Sequence, residues 1–278
     1  MKKEVDSVSV IIPCYNDHEF IEQAVNSAIA QTWANKEIIV IDDGSDNKTK
    51  EVLKKIEPAV DLLITQKNSG PSAARNRGIE KASGDYILVL DADDYFEPEF
   101  CEKAIRKFKS ELQVKMVTSY GQRFKEKPFG QTIIPVGGEL KSFLVRNASL
   151  GTMFRKQDWL KVRGYDENMK LGLEDWEFYI RLHENGGRTF VIPEILFYYR
   201  YKKNSRTQKA NFHKHDLLRY IYKKHQDLYK EHFELFIDDI ITKLKREEQQ
   251  QIKLKNQIEF ELGDKLLKPL RLIKYWFS

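Results

Sequence analysis

The sequence predicts an α/β fold, a mostly parallel sheet flanked by helices, with a helical C-terminal extension. Two patterns carry this. Apolar runs at 8–12, 37–41, 62–65 and 86–90 alternate with segments whose apolar residues recur at helical spacing. Such strand–helix repetition builds parallel sheets, because each crossover helix returns the chain to the same end of the sheet. Beyond about Gln208 the chain becomes long, Lys-rich and helical in pattern.

Val8-Ser9-Val10-Ile11-Ile12 is the first strand, stopped by Pro13. Asn16 to Glu19 has capping-box spacing, and Phe20, Ile21, Ala24, Val25, Ala28 and Ile29 follow at helical spacing. Glu37 to Ile41 is a second strand, closed by the turn-rich Asp42-Asp43-Gly44-Ser45. Leu53 and Ile56 mark a helix, Leu62 to Thr65 a third strand, and Pro71 opens a helix running toward Gly84. Tyr86 to Leu90 is the fourth strand. Gly and Pro between Tyr120 and Glu139 predict loops and short strands. Gly151 to Arg155 and Thr189 to Ile192 read as short strands, and a mainly buried helix begins near Glu174-Asp175. The expected division is a domain over 1–207, with halves 1–110 and 111–207, and an extension over 208–278.

With 41% hydrophobic and 32% charged residues, the chain reads as globular. A net charge of +5 without a nucleic-acid motif argues against a nucleic-acid partner. Cys14 and Cys101 have no metal-ligand spacing and form no disulfide framework, which points to a reducing compartment. No signal peptide or bilayer-length apolar stretch is visible, so the expected location is cytoplasmic. Near the C-terminus, Lys265, Lys268, Arg271 and Lys274 alternate with Leu266, Leu267, Leu270, Ile273, Trp276 and Phe277, interrupted by Pro269. That mixture suits peripheral contact with the inner face of the cell membrane, or equally a homo-oligomer contact.

In parallel sheets ligands bind at the carboxyl ends of the strands. Pro13-Cys14-Tyr15-Asn16, Asp42-Asp43 and Asp91-Ala92-Asp93-Asp94 each follow a strand and should share one sheet edge. Asp91 and Asp93 read as an extended segment. Carboxylates this close repel unless a cation sits among them, and a hard divalent metal takes carboxylate oxygens; a solvated acidic turn is the plain alternative. Asp43 suits a nucleobase donor such as uracil N3–H, with Tyr15 against the ring; a strand-ending turn explains it as well, and guanine also offers donors. Gly70-Pro71-Ser72-Ala73-Ala74-Arg75-Asn76 permits backbone approach to a ligand or simply close helix–sheet packing. Glu174-Asp175 starts a helix whose N-terminus keeps carboxylates ionised, either as a base or as a cap. His183 is expected to be structural.

These segments, in this order, resemble the inverting glycosyltransferases of family 2, which have the Rossmann-like GT-A fold. Val8 to Asn16, Ile41 to Ser45, Gly70 to Asn76 and Asp91 to Asp94 look like the donor-side motifs. Gly164-Tyr165-Asp166-Glu167 and Glu174-Asp175-Trp176-Glu177 look like the acceptor-side segment. The resemblance covers roughly residues 5–205. It implies that residues 1–110 are the nucleotide-binding half and 111–207 the acceptor-side half. It implies base contacts from Pro13, Tyr15 and Asp43, a place near the donor phosphates or sugar for Arg75, and ribose or sugar contacts from Asp91. It implies Mn²⁺ or Mg²⁺ at Asp93 and Asp175 as the catalytic base, with Asn76, Asp94, Glu174 and Trp176 supporting. Many relatives carry a His after the Tyr-Arg pair as an extra ligand to metal or diphosphate, where this chain has Lys202 in Tyr199-Arg200-Tyr201-Lys202, so Lys202 is expected at the diphosphate.

The implied activity is inverting, metal-dependent transfer from a nucleotide-sugar donor, a UDP-sugar first, to a glycan or lipid-linked glycan acceptor in bacterial surface polysaccharide synthesis. No Gln-x-x-Arg-Trp motif occurs, which counts against a processive synthase. The competing readings are a nucleotidyltransferase and a nucleotide-sugar-binding scaffold without catalysis.

Overall fold

In a computed structural model of the chain, residues 6–146, 151–202, 206–256, 262–263 and 265–267 are described, with backbone only at 207–209. The first unit, 1–226, begins with β1 (Val8–Cys14), α1 (Ile21–Ile29), β2 (Lys36–Asp42), α2 (Asn47–Ile56), β3 (Leu62–Thr65), α3 (Pro71–Lys81) and β4 (Tyr86–Val89). There follow β5 (Tyr95–Phe96), α4 (Phe100–Ser110), β6 (Val114–Phe124), β7 (Pro128–Ile133), α5 (Leu140–Val145), β8 (Thr152–Arg155) and α6 (Lys156–Lys161). The unit ends through α7 (Glu174–Glu184), β9 (Arg188–Arg200), α8 (Arg206–Phe212) and α9 (Lys214–Lys224). A second unit, 227–278, holds most of α10 (Gln226–Glu231) and all of α11 (Phe233–Lys255).

Among the described residues one nine-stranded sheet runs β3-β2-β1-β4-β8-β6-β9-β5, with β7 against β6. The strands β3, β2, β1 and β4 are parallel neighbours, as strand–helix alternation requires. The remainder is mixed: β8 runs antiparallel to β4 and β6, while β9 lies parallel to β6. Both faces of β1 are covered, which is why it reads as a continuous apolar run rather than an alternating one. Val8, Val10, Ile12 and Cys14 join a core with Ile21, Ala24, Val25 and Ala28 of α1 and Phe100, Ala104, Ile105 and Phe108 of α4. On the other face Gly78 of α3 lies so close that a Cβ there would sit 2.5 Å from Ile41 Cδ1 and 2.8 Å from Ile11 Cγ2. That glycine brings α3, and Arg75 with it, down onto the strands.

Two local expectations are corrected. Asn16 does not cap α1. It has φ +58°, and its Oδ1 accepts from the Asp46 amide at 2.8 Å, so its side chain ties the β1 end to the β2 end. The N-cap of α1 is Phe20, without a side-chain cap. Asp91 to Asp94 is a turn rather than an extended segment, with the Asp94 amide donating to the Asp91 carbonyl at 3.1 Å.

Of the basic and apolar tail, Lys265, Leu266 and Leu267 are helical and exposed. Lys268, Pro269, Leu270, Arg271, Ile273, Lys274, Trp276 and Phe277 lie outside the described residues, as do Lys203, Asn204 and Ser205. Among the described residues no helix is long and apolar enough to cross a membrane.

Candidate active site

The parallel strands end together, so the residues after β1, β2 and β4 meet at one sheet edge. After β2, Asp43 is buried and accepts three hydrogen bonds. Gln66 Nε2 and the Ser69 amide reach its Oδ1 at 2.8 Å each, and the Gly70 amide reaches its Oδ2 at 2.9 Å. Asp43 therefore fixes the loop leading into α3, with acceptor capacity left for a ligand donor. Pro13 is partly buried at the end of β1, and the Tyr15 side chain stands exposed beyond it.

Arg75 is the hub on α3. Its Nη2 donates to Asp91 Oδ1 at 2.8 Å and its Nη1 to Glu174 Oε1 at 2.8 Å, with the guanidinium over the Tyr165 ring. Glu174 also takes Arg206 Nη1 at 2.8 Å and Nη2 at 3.0 Å. Burial alone would raise the Glu174 carboxyl, but Arg75 and Arg206 outweigh it and hold the pKa down to about 2. Next to Arg75, Asn76 clamps the acceptor-side segment: its Nδ2 donates to the Tyr165 carbonyl and Glu167 Oε1, and its Oδ1 accepts the Tyr165 amide.

Helix α7 is launched by a left-handed pair, Gly172 at φ +132° and Leu173 at φ +61°. A left-handed non-glycine residue is uncommon and costs roughly 1–2 kcal/mol, so this turn is held by its surroundings. It places Glu174 inside and Asp175 in a cleft shared with Arg75, Asp91, Asp94, Thr152, Tyr165 and Tyr199. The Asp175 Oδ1 accepts the Trp176 amide at 2.7 Å, at the helix end that favours negative charge. Trp176 itself is buried, and its indole N–H donates to the Phe143 carbonyl, so it seats α7 on α5 and stays out of the cleft wall.

The turn after β4 is held by β9. Asp94 Oδ1 accepts the Arg200 amide at 2.8 Å, and Arg200 Nε donates to the Asp93 carbonyl at 2.8 Å. The Arg200 guanidinium lies between the Phe20 and Phe124 rings, 4.3 Å from each centroid. Burial raises the Asp94 carboxyl well above the usual range, helped by Asp93 and Asp91. Lys202 Nζ sits 2.7 Å from Asp93 Oδ2 and 2.7 Å from Asp17 Oδ1.

The expected divalent cation meets an unfavourable donor set. Asp93 is paired with Lys202, Asp91 with Arg75, and Asp94 with the Arg200 amide. Among the described residues no three His, Cys, Asp or Glu side chains form a metal-ligand group.

The site thus gathers Arg75, Asp91, Asp94 and Asp175 around one cleft, with Asp93 and Lys202 beside Asp94 and with Asp43, Pro13 and Tyr15 along the sheet edge. Sequence reasoning missed Asp17 and Arg206, whose partners lie far off in sequence and give no local signal. Arg200 belonged to a noted segment, but its bracketing of Asp93 and Asp94 was not readable. His183 is structural, as expected: its ring bonds the Tyr179 carbonyl and Thr189 Oγ1 and stacks on Phe143, and burial lowers its pKa to about 4.

Comparison with known proteins gives a consistent picture. A family model described as glycosyl transferase family 2 matches residues 9–167, and one described as the N-terminal domain of galactosyltransferase matches 144–215. An uncharacterized glycosyltransferase of Haemophilus influenzae is 40% identical over 41% of this chain and 46% of its own length. A poly-β-1,6-N-acetyl-D-glucosamine synthase of Staphylococcus aureus is 30% identical over 69% of this chain and 52% of its own. The chain thus spans about half the length of these curated relatives. The crystal structure of S. aureus TarS 1-349 in complex with UDP-GlcNAc superposes with a TM-score of 0.62 at 22% identity, covering 73% of this chain and 60% of that one. That likeness concerns the fold.

Proposed function

The chain belongs to glycosyl transferase family 2, and from that premise we propose that it transfers a sugar, with inversion, from a nucleotide-sugar donor to a hydroxyl of a glycan or lipid-linked glycan. The observation that carries this reading is the shared cleft of Asp91 and Asp175, one carboxylate from a sheet-edge turn and one from a helix N-terminus. The TarS structure, a fold neighbour solved in complex with UDP-GlcNAc, supports a UDP-sugar as the first donor to test. The named polysaccharide synthase among the relatives supports a surface-glycan acceptor. The tail residues 265–278 support peripheral membrane contact by composition alone.

Pro13, Tyr15 and Asp43 would hold the base, and Asp91, kept in place by Arg75, the ribose or sugar. The acceptor oxygen attacks the anomeric carbon from the side opposite the diphosphate. A new C1–O bond forms, the C1–O bond to phosphate breaks, and its electron pair leaves with the nucleoside diphosphate. The acceptor proton goes to Asp175, a carboxylate at a helix N-terminus, the end that favours negative charge, placed to act as base. A divalent cation at Asp93 is supported by the two carboxylates Asp91 and Asp93 in one turn. It is opposed by the Lys202 ammonium already bound there, and chelation decides which cation faces the diphosphate.

Donor hydrolysis tests the stereochemistry. With an α-linked UDP-sugar and water as acceptor, proton NMR should record the β anomer of the free sugar before mutarotation. First appearance of the α anomer would overturn inversion.

A further inference from the structure

The geometry points to the Lys202 ammonium as the cation that faces the donor's diphosphate, in place of a divalent metal. This rests on the reading of the cleft as a nucleotide-sugar site and adds how the charge there is met.

Lys202 lies two residues beyond β9, whose last residue, Arg200, grips the Asp93-Asp94 turn through its backbone and guanidinium. The ammonium is thereby delivered to a fixed place. It bridges Asp17, from the segment after β1, and Asp93, from the turn after β4, at 2.7 Å each. The Phe20 ring lies 5.2 Å from Nζ and covers one side. All three charged groups are mostly shielded, with side-chain exposures of 30% for Lys202, 21% for Asp17 and 20% for Asp93.

An ammonium carries three N–H donors and no acceptor. Among the described residues two carboxylates engage it, and the third donor remains for an oxyanion at the same sheet edge. A divalent ion at Asp93 would have to stand beside this ammonium, and like charges so close repel. Displacing the ammonium would cost it two ion pairs. The other carboxylates of the turn do not offer an easy alternative, because Asp91 is bound to Arg75 and Asp94 takes the Arg200 amide. A compact point charge is a suitable phosphate binder. In the transfer step Lys202 keeps its proton. The electron pair of the broken C1–O bond goes to the departing phosphate oxygen, and the ammonium meets the charge that develops there.

The test is calorimetric binding of UDP, GDP and dTDP to the full chain after exhaustive chelation, and again with Mn²⁺. The wild type is expected to bind at least one diphosphate without metal, with an affinity that Mn²⁺ changes by no more than about twofold. Lys202→Met should weaken metal-free binding by about ten- to a hundredfold, the range of a lost hydrogen bond to a charged group. It should also gain binding on addition of Mn²⁺, because Asp17 and Asp93 are then released. Lys202→Arg, which keeps the cation, should retain metal-free binding and so separates loss of charge from loss of fold. Wild-type binding that requires Mn²⁺ would overturn the inference and leave the nucleotide-sugar reading standing. Unchanged metal-free binding by Lys202→Met would do the same. If no diphosphate binds in either condition, the nucleotide-sugar reading falls with it.

Discussion

Glu174 and Asp175 are adjacent carboxylates with opposite surroundings. Glu174 is buried against the Nη1 atoms of Arg75 and Arg206, each at 2.8 Å, whereas Asp175 lines the cleft and accepts the Trp176 amide. Successive residues of an α-helix point about 100° apart, so one turn of α7 gives one carboxylate to the interior and the next to the cleft. The first is an anchor, and the second stands at the cleft.

Exchange of the two should therefore have different consequences. Glu174→Gln removes one of the two carboxylates that the buried Arg75 guanidinium bonds and the partner of the exposed Arg206, and should cost about 3 kcal/mol in denaturant unfolding, the low end for breaking a buried pair. Asp175→Asn should change stability by less than about 1 kcal/mol. Equal losses would make Asp175 a helix cap.

Acid should loosen the same anchor, and the sign follows from the direction of the shift. The Glu174 pKa is lowered in the fold to about 2, against an ordinary value of 4.5. The unfolded chain therefore binds the proton first, so this stabilisation is complete above about pH 4.5 and fades as pH falls toward 2. Wild type minus Glu174→Gln, followed by unfolding from pH 6 to pH 2.5, should show a stability difference that shrinks through that window. A difference flat with pH would deny Glu174 its charge.

Gly44 sets the loop that Asp43 holds. It has φ +75°, and a Cβ there would lie 2.7 Å from the Asn68 amide nitrogen. Gly44→Ala should lower stability by about 1–3 kcal/mol, the usual cost of a left-handed non-glycine residue in a crowded site. It should also weaken UDP binding, since Asp43 and residues 66–70 move together. A stable variant that binds UDP normally would remove Asp43 from the base site.

The parallel half of the sheet was legible because each of β1, β2 and β4 is a short apolar run followed by turn chemistry. Helix α4 also carries a legible signal, with Phe100, Cys101, Ala104, Ile105 and Phe108 buried on one side, which the sequence reading leaves unassigned. Strand β6 was hidden for a physical reason. It carries Gly121, Gln122 and Arg123, and its register with β9 slips at Ser119/Tyr120 and Tyr120/Gly121. The family motifs picked out Asp43, Arg75, Asp91, Asp93 and Asp175, but their partners are long-range. Lys202 meets Asp17 across 185 positions, and Arg75 meets Glu174 across 99. No local pattern encodes such pairs, and they are what make Arg75 a structural hub and Lys202 a fixed cation.

The most direct test of the central claim is a paired measurement on Asp175→Asn: donor affinity by calorimetry and nucleoside diphosphate release from a panel of UDP-, GDP- and dTDP-sugars. The account predicts donor affinity within a few-fold of wild type and release slowed by about 10²–10⁴-fold, the range for a lost general base. Release at the wild-type rate with donor binding intact would contradict it.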